Sequence, residues 1–160
     1  MSSILVPASD VPRKVGLVSI ADPVTIFKKF STLQAICLRE NGLGLAAVQL
    51  GVPENMFVVK KPDGDFQCFL NMKYTSVTEE IFISCEGCLS LPNRLFLVPR
   101  YKTIRIKGLE MIVGEEINFV EVDLEIDDPL NVAVMQHEIG HCFGEMIDEI
   151  GREIRIRTLK

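Results

Sequence analysis

The sequence predicts an α+β fold in which antiparallel strands pack around a buried central helix, and three observations predict it. Two segments start with an acidic cap followed by proline, Asp22-Pro23 and Asp127-Asp128-Pro129, well apart in the 160-residue chain. Proline suits the first helical position because its missing N–H would have no partner there. Between these starts, short apolar runs with period-two alternation are separated by turn signals, the pattern of strands. The early part of the second helix is apolar nearly all round, which belongs in an interior.

Taken in order, residues 1 to 21 read as an irregular arm containing Pro7 and Pro12. From Asp22 the apolar residues Ile26, Phe30, Leu33 and Cys37 recur at helical spacing, and Gly42 is a natural stop, so the first helix runs to about Asn41. Gly42 to Pro53 is rich in small residues and connects helix to strand. Asn55 to Lys60 and Phe66 to Leu70 read as strands joined at Pro62-Asp63-Gly64, followed by a longer β segment from Tyr74 to Ser84. Leu95 to Val98, Thr103 to Lys107 and Glu116 to Leu124 complete the strands. The second helix carries Leu130, Val132, Ala133, Val134 and Met135 into the histidines, and Gly144 ends it. The tail from Asp148 to Lys160 reads equally as a strand or a frayed end. No repeat or linker divides the chain, so 1–160 is expected to be one catalytic domain.

Composition narrows the function. Hydrophobic residues make up 48% of the chain, which excludes a disordered polymer. A net charge of −5 argues against a nucleic-acid binder working through a basic surface. No apolar run reaches the ~20 residues that span a bilayer, and the first residues lack the pattern of a signal peptide, so neither nucleic acid nor membrane is an expected partner and the cytoplasm is the expected location. Five cysteines, an odd number without small-scaffold spacing, fit a reducing compartment. Of these, Cys37, Cys68 and Cys142 read as small hydrophobes.

Gln136-His137-Glu138-Ile139-Gly140-His141 contains both histidines of the chain. Residues four apart lie on one helical face, so both imidazoles can reach one metal ion, with Glu138 placed to meet a water there without being a ligand. Metal-assisted hydrolysis needs a third ligand and one open position. Two readings compete for Cys85-x-x-Cys88: a redox or structural-metal pair using both sulfurs, or Cys88 alone as the third ligand. The first lacks a second Cys-x-x-Cys or a βαβ context, so the second is stronger.

Three segments together resemble the ordered motifs of the peptide deformylases: Gly42-Leu43-Gly44-Leu45-Ala46-Ala47-Val48-Gln49, Glu86-Gly87-Cys88-Leu89-Ser90 and Gln136-His137-Glu138-Ile139-Gly140-His141. Val98-Pro99-Arg100 also resembles the family. The resemblance implies removal of the formyl group from N-formylmethionyl nascent peptides, with the ribosome as a candidate partner. It implies one divalent metal ion, Fe2+ in the first place with Zn2+, Ni2+ or Co2+ able to replace it, held by Cys88, His137 and His141. Glu138 is then the general acid–base, and the Gln49 amide and the Leu89 backbone N–H donate to the developing oxyanion. Leu43 and Gly44 would pair with extended peptide, and Leu130, Ala133 and Val134 would line a pocket for the methionine side chain.

The chain departs from that pattern at Gly140, where the family usually has Asp. This removes a partner expected for Arg100 and costs roughly 1 kcal/mol of helix propensity relative to Ala. Glu145 and Asp148 are the candidate replacements. Cys142 and Cys85 are also unusual beside this site, and a degenerate, non-catalytic relative and a generic zinc peptidase are the competing functions.

Overall fold

The computed structural model describes residues 4–157. The outermost residues of the N-terminal arm and of the tail lie outside that range. Helix α1 spans Pro23–Arg39 and is capped as expected, the Asp22 side chain accepting from the Thr25 N–H at 3.1 Å. It ends slightly before the predicted Asn41, because Asn41 turns left-handed at φ 54°. The N–H groups of Asn41 and Gly42 then bond back to Leu38 and Cys37, which satisfies the last carbonyls of the helix.

Strand β1, Gly44–Ala46, leads into a 3-10 turn at Ala47–Leu50. Strands β2 (Met56–Lys60), β3 (Phe66–Val77), β4 (Ile81–Cys88), β5 (Leu91–Tyr101), β6 (Ile104–Val113) and β7 (Ile117–Ile126) follow. Helix α2, Pro129–Cys142, starts on the Asp128 cap, and the chain closes with one helical turn, α3 (Ile147–Ile150), and strand β8 (Arg152–Ile154). The tail therefore contains both a turn of helix and a strand.

The predicted β segment from Tyr74 to Ser84 is two strands. The chain reverses between them, where Thr78 donates to the Thr103 carbonyl and Lys102 to that of Glu80. Neither Gly nor Pro marks this turn, so sequence pattern did not reveal it. β3 is correspondingly longer than Phe66 to Leu70. It passes a bulge at Asn71, which takes φ 55° and whose side-chain amide exchanges bonds with the Val18 backbone at 2.7 and 2.9 Å.

All strand pairings are antiparallel, in a five-stranded sheet of order β1-β2-β3-β6-β7 and a three-stranded sheet of order β4-β5-β8. The alternation of β2 shows how the layers are built. Phe57 and Val59 join a core with Val132, Met135 and Ile139 of α2, whereas Met56 and Val58 join a second core with Ile26, Leu33 and Ile36 of α1. Helix α2 thus packs between the two sheets, against β1, β2 and β5, and α1 covers the far face of the larger sheet. From Glu138 to Cys142 every residue of α2 is buried.

Candidate metal centre

Three elements converge at the C-terminal half of α2: the β1 strand with its 3-10 turn, the end of β4, and α2 itself. Their donor atoms on Cys88, His137 and His141 all lie within 4.8 Å of one another. Cys88 Sγ is 3.6 Å from His141 Nε2. A tetrahedral ion with nitrogen and sulfur bonds of about 2.0 and 2.3 Å would hold such a pair about 3.5 Å apart. The donor set therefore fits a divalent metal ion.

The opposite nitrogen of each ring is occupied. His137 Nδ1 meets Glu86 Oε1 at 2.9 Å, and His141 Nδ1 meets the Glu145 carbonyl at 3.1 Å. Both rings therefore turn Nε2 inward, the arrangement that fixes the tautomer of a ligating imidazole. Glu86 is held in turn by both arms of the buried Arg100 guanidinium, at 2.8 and 2.7 Å. Burial alone would raise the Glu86 carboxyl, but the bonds from Arg100 and His137 outweigh it and bring it down to about 2. Burial lowers His141 well below its ordinary range.

Glu138 is only 3% exposed, and its Oε2 has no hydrogen-bond partner among the described residues. Desolvation raises this carboxyl to about 7, against the lowering influence of His137. A buried, unpartnered acceptor beside three metal-type donors is placed to receive a proton from a water. Its packing explains one glycine: a Cβ on Gly44 would lie 2.7 Å from Glu138 Oε1.

The Gln49 amide is oriented from both ends. Its Oε1 accepts from the Ala46 N–H at 3.0 Å, and its Nε2 donates to Ser90 Oγ at 3.0 Å and lies 3.5 Å from Cys88 Sγ. Gln49 and Ser90 are both buried, so the amide protons face the cluster rather than solvent.

Outside the cluster opens a cavity of about 580 Å³. Its walls include every predicted substrate-contacting residue, Leu43, Gly44, Leu130, Ala133 and Val134, together with Leu89. Two terminal strands flank it, β1 of the larger sheet and β4 of the smaller. Leu43 and Leu130 are 53% and 62% exposed, so the cavity is edged by apolar side chains.

Glu86 went unrecognised in the sequence although it stands two residues before Cys88. Its partner Arg100 lies fourteen residues on and arrives only through the β4–β5 pairing, which sets Phe82 against Arg100 and Glu86 against Phe96. Of the two candidate acids for Gly140's missing partner, Glu145 approaches Arg100, at 3.7 Å. Cys37, Cys68 and Cys142 are buried and burial pushes their thiols up, as expected for small hydrophobes, whereas Cys85 is exposed on the cavity wall.

Comparison with known proteins gives one family. Residues 11–154 match the family described as Polypeptide deformylase. A peptide deformylase of Syntrophomonas wolfei is 36% identical over 119 residues, 74% of this chain and 72% of that protein. One from Buchnera aphidicola is 30% identical over 148 residues, 88% and 84% of the two chains. Among solved structures, peptide deformylase from Ehrlichia chaffeensis in complex with actinonin matches with a TM-score of 0.79 at 26% identity, covering 94% of this chain and 87% of that one. The Thermotoga maritima structure, at 23% identity, a TM-score of 0.77 and coverage of 94% and 97%, shows the same fold.

Proposed function

The chain belongs to the polypeptide deformylase family, and from that membership we propose that it removes the N-terminal formyl group of N-formylmethionyl nascent peptides, releasing formate and a free amine. The observation that carries this reading is the convergence of Cys88, His137 and His141 beside a buried carboxylate whose Oε2 has no partner among the described residues. One thiolate and two imidazoles suit a borderline-soft divalent ion. We assign Fe2+ as the physiological ion, with Zn2+, Ni2+ or Co2+ able to occupy the same donors. When bound, the ion supplies Lewis acidity, lowering the pKa of water and polarising the formyl oxygen.

The side chains supply the rest. Glu138 accepts a proton as water attacks the formyl carbon and returns it to the departing amine nitrogen, so the C–N bond breaks without releasing an amide anion. In the metal-free site burial holds this carboxyl up at about 7, so it takes up a proton more readily than an exposed glutamate. The Gln49 amide, fixed by Ala46 and Ser90, and the Leu89 N–H donate to the oxygen on which charge develops. Because the Gln49 amide is oriented before substrate arrives, it needs little reorganisation during the reaction.

Nascent chains share a formyl-Met start and then differ, so binding should use backbone. The terminal strand β1, with Leu43 and Gly44 on the cavity, offers an edge to an extended peptide. Leu130, Ala133 and Val134 then receive the methionine side chain. We infer that the protein works in the cytoplasm, with the ribosome as a candidate partner.

The test is to purify the protein anaerobically, measure metal by elemental analysis and assay formate release from formyl-Met-Ala-Ser, beside Glu138→Ala. Activity with about one metal per chain, lost in the variant while metal is kept, is the expected result. Stoichiometric metal without formate release would reject deformylation and favour a peptide-binding relative.

A further inference from the structure

Gly140 occupies a place where glycine is costly. It lies in the fully buried stretch of α2, between Glu138 and His141, where an alanine would favour the helix by roughly 1 kcal/mol. Its backbone is ordinary helix, so no left-handed φ requires it. What lies across it is the Glu145 side chain, 42% exposed, which would have to turn away to admit a Cβ. A Cβ at Gly140 would stand 2.8 Å from Glu145 Oε1 and within 3.6 Å of the Glu145 Cδ and Cβ.

Glu145 has three attachments there. Its N–H donates to the Gly140 carbonyl at 2.9 Å, its own carbonyl accepts from His141 Nδ1 at 3.1 Å, and its carboxylate pairs with Arg100 Nη1 at 3.7 Å. Arg100 spends its other donors on Glu86, and Glu86 holds His137. Glu145, three positions past the end of α2, therefore reaches both histidines, one through its backbone and the other through Arg100 and Glu86. A cavity of about 610 Å³, bordered by Tyr74, Arg100, Gly140 and Glu145, adjoins this network. A carboxylate is the group that braces a buried guanidinium there.

We propose that Glu145 is a positioning residue for the metal centre, and that Gly140 is its steric complement, kept free of a side chain so that the Glu145 carboxylate can lie over the helix and brace Arg100. This rests on the reading of Cys88, His137 and His141 as metal ligands. The two positions form one unit. A carboxylate supplied from residue 140 would occupy the same volume, so either position can carry it but not both.

The test is a cycle of Glu145→Ala, Gly140→Asp and the double variant, with Glu145→Gln as the shape-conserving control. The readout is the dissociation constant for Zn2+ by chelator competition, alongside kcat/KM and far-UV circular dichroism. Loss of an outer partner of a metal ligand weakens metal binding about 10- to 100-fold, and Glu145, one step further out, should fall near 10-fold in E145A. G140D should weaken binding by clashing with Glu145, and the double variant should recover to within about threefold of wild type. E145Q, retaining volume without charge, should fall between. If wild type binds Zn2+ tightly and E145A binds it equally well, or the double variant shows the sum of the two single losses, the proposal is overturned while the deformylase reading stands. A wild-type protein that binds no Zn2+ overturns both. A double variant that recovers both helicity and affinity after a misfolded G140D supports the shared space directly.

Discussion

At the scale of the residue, Glu138 sets an ionisable carboxyl in the buried interior of the centre, and its chemistry and its cost have one origin. Ordinarily near 4.5, the carboxyl is raised to about 7 by desolvation. Between those values the folded chain holds a proton that the unfolded chain has released, so stability linked to this group is complete below about 4.5 and declines as pH rises to about 7. Glu138→Gln, which is neutral at all pH, should therefore raise the melting temperature of the metal-free protein at pH 8, with the gain closing toward pH 4.5. Thermal unfolding in chelator at the two pH values measures this, and a gain of the same size at both would refute the burial argument. The same variant should lose about 10²- to 10⁴-fold in kcat with metal still bound, the usual contribution of a general acid–base. Glu138 and its flanking histidines were legible in the sequence because helical spacing alone puts them together. Glu86 was not, because what makes it a partner of His137 is a guanidinium delivered by strand pairing.

At the scale of the element, the centre depends on how closely β1 approaches α2. Gly44 allows the approach, and a methyl group there would press on the carboxylate at 2.7 Å. Gly44→Ala should displace Glu138 and lower kcat/KM more than tenfold, at a stability cost of about 1–3 kcal/mol typical of overpacking. A parallel assay and denaturant melt separate the two effects, and an unchanged kcat/KM would mean that the carboxylate can move aside without penalty. On the opposite wall, Val134 is half-buried and faces the cavity. Val134→Phe should raise KM for formyl-Met peptides with a smaller effect on kcat, since it fills the pocket proposed for the methionine side chain. Steady-state kinetics that match wild type would remove Val134 from that pocket. The helices were legible from their Asp-Pro starts, and α2 as the buried one from its apolar surface. The β3–β4 boundary was not, because the turn there is fixed by bonds from Thr78 and Lys102 to distant backbone rather than by glycine or proline.

At the scale of the whole molecule, the three proposed metal donors come from opposite sides of the fold's main seam. Cys88 ends a strand of the smaller sheet, and the histidines sit on the helix packed between that sheet and the larger one. An ion joining them adds a cross-link between layers already joined by the Glu86–His137 and Gln136–Tyr101 hydrogen bonds, and its binding free energy adds to folding. At a free metal concentration 100 times the dissociation constant this is about 2.7 kcal/mol, which for a chain of this size corresponds to roughly 5–10 °C in melting temperature. Removing the metal with a chelator should therefore lower the transition by that amount, and returning Zn2+ should restore it. The size of the gain should depend on pH. In the metal-free protein burial pulls the His137 pKa down, but Cys88 and Glu86 outweigh it and raise it to about 10. The ion must displace that proton to reach the ring, so competition weakens as pH rises and the metal-induced gain is larger at pH 8 than at pH 6. Calorimetry with and without metal at both values tests the link, and an unfolding temperature indifferent to chelation would show that the layers do not share an ion.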